Sequence, residues 1–174
     1  MQDYQAKQAM KQTVVAALQA ARPELIPGCG CVNAAKNIRI QLKAAFPGVK
    51  FSVKTSSYSG GNNIDIRWTD GATVQQVNEI TREYALGSFD GMTDSYEYDQ
   101  SNYWTDAFGG TKYISNYRYM SDEFLASVLE ELSAKWGTID GVPCPTIEQY
   151  RTGNARDGGW DRRIGEAASA KVAV

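Results

Sequence analysis

Histidine is absent from all 174 residues. That removes the commonest general base, the commonest zinc ligand and every Ser–His or Cys–His nucleophile pair. Cysteine is scarce: the three residues cannot pair completely, and Cys29 and Cys31 flank a glycine far from Cys144, so no disulfide framework is expected. A zinc site wants about four ligands in spaced pairs, and the sequence supplies no such set; no metal and no cofactor are expected. No segment approaches the roughly 20 apolar residues of a membrane-spanning helix, so no membrane partner is expected. The polar stretch Met1 to Lys11 lacks the basic-then-apolar order of a signal peptide, and a cytoplasmic location is the expectation. What is present is an ordinary globular composition, 43% hydrophobic and 22% charged, in a chain long enough to bury a core.

The net charge of −2 hides a division. From Met1 to Lys54, eight Lys and Arg oppose Asp3 and Glu24, a net of +6. From Thr55 to Gly109, nine acids oppose Arg67 and Arg82, a net of −7. Opposite local charges can simply neutralise one another on a mixed surface; the sharper possibility is a bipolar molecule.

Periodicity gives the elements. Met10, Val14 and Leu18 recur every four residues before Pro23 and Pro27, predicting a first helix over 3–21. A second helix is predicted over 32–46, with Val32, Ala35, Ile38, Leu42, Ala45 and Phe46 on one face and Lys36, Arg39 and Lys43 on another, stopped by Pro47 and Gly48. Alternation over Val49 to Lys54 and Ile64 to Trp68 predicts two antiparallel strands joined by a wide loop over 56–63. Thr73 with Gln76 forms a capping box for a third helix bearing Val74, Val77, Ile80 and Tyr84. Residues 88–110 are aromatic and acidic without clear period, and 111–120 alternate like a further strand. Ser121 caps a helix with the inward stripe Phe124, Val128, Leu132 and Trp136, ended by Gly137. A short helix is expected near Ile147 and Tyr150, and the Arg- and Gly-rich end, with Arg151, Arg156, Arg162 and Arg163 around Trp160, reads as a mobile tail.

These elements predict an α+β fold: helices on one side of a small, mostly antiparallel sheet, built on a helix–strand–strand–helix unit from about Val32 to Leu86. The first helix and the 124–136 helix are the natural covers for the sheet's other face, giving one domain over 1–150 and a tail over 151–174.

The run Ile38 to Lys54, followed by Tyr58-Ser-Gly-Gly, Ile64 to Gly71, Val77 and Phe89-Asp-Gly-Met-Thr-Asp94, resembles the large polyvalent protein-associated domain numbered 29. The resemblance covers about residues 32–98 and leaves the first helix and everything after about Asp99 outside it. Such domains occur in giant proteins of bacteriophages and conjugative elements and as small stand-alone proteins. It therefore implies a phage or plasmid origin and, by association, a part in countering host defence or in early establishment in the bacterial host, and it brings no catalytic residues.

Two surfaces are candidates. Ten of the nineteen aromatic residues fall between Tyr84 and Tyr119. Within this block Asp90, Asp94, Tyr96, Glu97, Tyr98, Asp99, Tyr103 and Trp104 would let a ring-rich, negative face dock on a basic groove of a host defence complex. The alternative is a basic stripe, Lys36, Arg39 and Lys43 on the second helix with Lys50 and Lys54 on the strand after it, suited to tracking the phosphates of a nucleic acid. The expected function is a non-catalytic inhibitor of a defence complex, anti-CRISPR or anti-restriction in kind, acting by protein–protein binding; the alternative is a nucleic-acid-binding accessory protein.

Overall fold

The computed structural model describes residues 2–153 and 159–171, with the side chains of residues 2 and 3 left aside; Arg156 of the expected tail lies outside the described residues. The order is α1 (Gln2–Ala21), α2 (Cys31–Ala45), β1 (Ser52–Tyr58), β2 (Gly61–Thr69), α3 (Val74–Thr81), β3 (Gly87–Asp90), β4 (Ser95–Tyr98), α4 (Tyr103–Phe108), β5 (Tyr113–Tyr119), α5 (Asp122–Trp136), β6 (Thr138–Ile139), β7 (Val142–Pro143), α6 (Ile147–Arg151) and α7 (Trp160–Ala170). The fold is α+β, as the periodicities predict.

The main sheet has the order β1-β2-β5. β1 and β2 form an antiparallel hairpin, while β5 lies parallel to β2. The strands run closer to the turn than the glycines imply: instead of a wide loop, Ser59 and Gly60 alone connect them. Ile64, Ile66 and Trp68 of β2 and Val53 of β1 point to one face, where α2 supplies Ala34, Ala35, Ile38 and Leu42, all buried. Each such large aliphatic side chain removed from water contributes about 1.5–3 kcal/mol. Phe51 joins this layer by ring contacts to Phe46 and Trp68 at 6.0 and 5.5 Å. The Thr73–Gln76 capping box starts α3, which packs beside β5 and buries Val77.

Asn37 is the polar exception in this core. It is fully buried on the same face of α2. Its amide oxygen accepts from the Ile26 backbone N–H at 2.8 Å, and its NH2 donates to the carbonyls of Ile26 at 2.9 Å and Phe108 at 2.8 Å. One side chain thus fixes the α1–α2 connection and the end of α4 to α2.

A second cluster lies beyond β5. Phe124, Leu125, Val128, Leu129 and Leu132 of α5 pack with Trp160, Ile164 and Ala168 of α7. The residues from 160 to 170, expected as part of a tail, therefore form a packed helix, because Trp160, Ile164 and Ala168 recur at the four-residue spacing of a buried stripe. Arg151 pairs with Asp122 at 3.0 Å, and Arg163 lies over the Trp136 ring at 4.3 Å. Arg118 at the end of β5 joins the two clusters. Its guanidinium donates to the α7 carbonyls of Ala168 and Lys171 at 2.6 and 2.9 Å and to Gly71 at 3.1 Å, a cation placed where a helix C-terminus favours one.

The predicted covers of the second sheet face are elsewhere. α1 packs on α4, and α5 builds the second cluster with α6 and α7. Met10, Val32 and Trp136, expected on inward stripes, are exposed. The outer sheet face meets the Tyr96 ring at Tyr113 and is exposed at its other end, at Tyr117 and Tyr119.

Candidate functional site

The segment between α3 and α4 is aperiodic in sequence because it is a short hairpin. β3 and β4 pair antiparallel, Phe89 opposite Tyr96 and Ser88 opposite Glu97. The turn is built by side chains: Asp90 accepts from the Met92 N–H at 2.9 Å and from the Thr93 hydroxyl at 2.8 Å. These hydrogen bonds, the Met92 amide's first, hold the Asp90 carboxyl below the usual carboxylate range. Asp94 follows with a positive φ of 50°, a conformation Asp tolerates better than most residues. At the other end Asp99 accepts from both the hydroxyl and the amide of Ser101, at 2.6 and 2.9 Å, and its carboxyl is lowered for that reason. Gly87 is required where it stands, because a Cβ there would drive into the Glu97 carbonyl across the ladder.

The hairpin is held to the sheet by its rings. The Tyr96 hydroxyl donates to the Lys112 carbonyl at 2.8 Å. The Tyr96 ring stands edge-on to Tyr98 at 4.9 Å and Tyr113 at 5.5 Å. The Lys112 ammonium caps both the Tyr96 and Tyr113 rings, at 4.9 and 5.5 Å, and donates to the Gly60 carbonyl at 3.0 Å. Burial pushes the Tyr96 hydroxyl up to about 12.

The predicted docking residues divide accordingly. Asp94, Glu97, Tyr98 and Asp99 are exposed on the hairpin and its exit, with Asp90 half-buried in the turn. Tyr96 is the anchor rather than the contact surface. Tyr103 is half-buried on α4. Trp104 is drawn inward, its ring against Phe108 at 4.8 Å and Tyr84 at 5.9 Å, with Arg22 over it at 5.4 Å. In its place the hairpin presents Phe89, Met92 and Tyr98, exposed by 53, 97 and 60%. Phe89 belongs to the aromatic block read from the sequence but is not singled out there as a contact, and Met92 carries no signal, because a four-residue turn interrupts the alternation; Tyr96 and Tyr98, two apart, are the surviving strand signal. None of Asp90, Asp94, Glu97 and Asp99 has a cation within ion-pair distance among the described residues.

The basic stripe stays exposed: Lys36, Arg39 and Lys43 on α2, with Lys50 and Lys54 around β1. Arg39 is committed to the Val53 carbonyl on the free edge of β1. The cysteines remain apart: Cys29 is exposed, Cys31 buried and Cys144 half-buried, and among the described residues no group of three His, Cys, Asp or Glu is placed to hold a metal ion. Among the described residues no helix is long and apolar enough to cross a membrane.

The family model described as large polyvalent protein associated domain 29 matches residues 30–121. It runs further than the motifs imply, beyond Asp99 through α4 and β5, so it takes in α2, the whole main sheet and the hairpin. No curated protein and no solved structure matches the chain.

Proposed function

We propose that this chain, which belongs to the large polyvalent protein associated domain 29 family and so to the proteins associated with phages and other mobile elements, is a non-catalytic inhibitor of a bacterial defence complex, anti-CRISPR or anti-restriction in kind. It works by occupying a protein surface, and the β3–β4 hairpin is its docking element. One observation carries this reading: three large apolar side chains and four carboxylates without cation partners are displayed together on a hairpin that a tyrosine–lysine cluster fixes to the sheet. Such a face complements a basic groove with apolar pockets, the kind of surface that otherwise holds nucleic acid. The alternative, phosphate binding along Lys36, Arg39 and Lys43, has less support because the Arg39 guanidinium is engaged by Val53.

The test is affinity capture from a host lysate treated with nuclease, repeated with a variant carrying Asp94→Asn, Glu97→Gln and Asp99→Asn. These positions are exposed, so the thermal midpoint should stay within about a degree or two of the parent, as surface substitutions usually do. The expected result is a stoichiometric, nuclease-resistant protein band that the variant loses. Gly87→Ala, which unpairs the hairpin without entering the core, should lose it too. A band that both variants retain excludes the hairpin.

A further inference from the structure

We propose that the open face of the β1-β2-β5 sheet binds single-stranded nucleic acid, with Tyr117 and Tyr119 as stacking rings and Lys50, Lys54 and Arg67 as phosphate contacts. The register defines the face. Because Val53, Ile64, Ile66, Trp68 and Ile114 turn inward, their strand neighbours must turn outward. Across the ladders this lays out the rows Lys54–Asp65–Ser115 and Ser52–Arg67–Tyr117, with Tyr119 beside Thr69. No helix covers these rows: Tyr117 and Tyr119 are 46 and 50% exposed.

Tyr119 makes no ring or cation contact among the described residues, and Tyr117 meets only the Arg67 guanidinium. Among the described residues neither hydroxyl has a hydrogen-bond partner. Two positions apart on one strand, they stand about 6.6 Å from each other, room for a separate base on each. The Arg67 guanidinium lies over Tyr117 at 5.5 Å, and a guanidinium plane also stacks on a base.

The two lysines are uncommitted, and Arg67 is held only by the Tyr117 ring. Lys50, Lys54 and Arg67 have no ion pair and no hydrogen-bond acceptor among the described residues, and Lys54 makes none with Asp65 opposite it. The two nearby acids are each engaged, Asp65 by the Asn63 amide at 3.0 Å and Asp70 by the Ser121 N–H at 2.9 Å. At the end of the sheet an open cleft of about 820 Å³ is lined by Lys50, Arg67, Thr69 and Tyr119, with the single carboxylate of Asp70 among them, a volume ample for one nucleotide. Rings set beside cations suit a strand whose bases are free; a duplex keeps its bases stacked within itself, and neither ring nor ammonium reads the sugar, so DNA and RNA serve alike. This site is independent of the hairpin, which meets the sheet at Tyr113, about 20 Å along β5 from Tyr119.

Fluorescence anisotropy with a labelled oligothymidylate and with a duplex of the same length tests it on the full chain. The single strand should bind at low salt, with log affinity falling against log salt at a slope of about −2, as three phosphate contacts on a single strand require. Tyr117→Ala and Tyr119→Ala should each weaken binding roughly tenfold, with Phe at either position restoring it. Lys50→Gln, Lys54→Gln and Arg67→Gln together should flatten the slope, whereas Lys36→Gln with Lys43→Gln should change nothing. Equal affinity for the duplex, no binding at low salt, or loss on changing Lys36 and Lys43 alone would overturn the proposal; folding of every variant is checked by its thermal midpoint.

Discussion

Trp160→Ala should cost about 3–5 kcal/mol, the range for truncating a buried aromatic residue, and so remove a large part of the 5–15 kcal/mol by which a domain is ordinarily stable. The side chain is fully buried between α5 and α7, and its indole N–H donates to the Val142 carbonyl at 3.1 Å, so truncation leaves both a cavity and an unpaired carbonyl. The damage reaches the sheet through Arg118, whose guanidinium rests on the α7 carbonyls and would be left without them. Urea titration should show a midpoint lowered in proportion, and Trp160→Phe should recover most of the loss. An unchanged midpoint would mean that α7 adds nothing to stability and that the end of the chain is a tail after all.

Asn37→Asp should be about as severe, about 3–5 kcal/mol at neutral pH, as for a buried charge left uncompensated. The native amide places its NH2 against two carbonyl oxygens, those of Ile26 and Phe108. An ionised carboxylate turns an acceptor toward both. Asn33 also donates to the same two carbonyls, at 2.9 and 3.1 Å, so they are not orphaned, but it cannot relieve the repulsion. Burial raises the pKa of the introduced carboxyl above its unfolded value, so the folded state holds its proton longer and stability falls as pH rises. The variant should therefore be less destabilised at pH 5 than at pH 8. Asn37→Leu, which removes the bonds without adding charge and leaves the Ile26 N–H without its acceptor, should cost less, about 1–3 kcal/mol. A loss from Asn37→Asp no larger than that from Asn37→Leu, with no pH dependence, would show that the hub is wet.

How far the sequence carries depends on whether the deciding interaction is local. The capping box at Thr73 and the cap at Ser121 are local, and both are in place. The α2 stripe is visible because Ala35, Ile38 and Leu42 repeat with the helix, yet Asn37 hides in it: a lone amide between apolar residues looks solvated until its distant partner, the Phe108 carbonyl, is known. β5 alternates legibly, but nothing in Tyr113 to Tyr119 says that it pairs with β2 in parallel and leaves its tyrosines outside. The α7 stripe of Trp160, Ile164 and Ala168 is present in the sequence, set among arginines and glycines whose composition alone suggests a tail. At the candidate site, the acidic and aromatic block of the sequence is spread over a hairpin and a helix, and the fold sorts its members. Tyr96 and Trp104 face inward while Phe89 and Met92, which lack any periodic signal, face out.

The claim at the centre is that the chain protects a mobile element by docking through the hairpin. Its most direct measurement is plasmid transformation of hosts that carry restriction or CRISPR systems directed at that plasmid, with the chain supplied beforehand. The native chain should raise the number of transformants at least tenfold in a host whose system it recognises, and the chain carrying Asp94→Asn, Glu97→Gln and Asp99→Asn should leave it at the restricted level. Protection that survives those three substitutions, or none in any restricting host, would contradict the account.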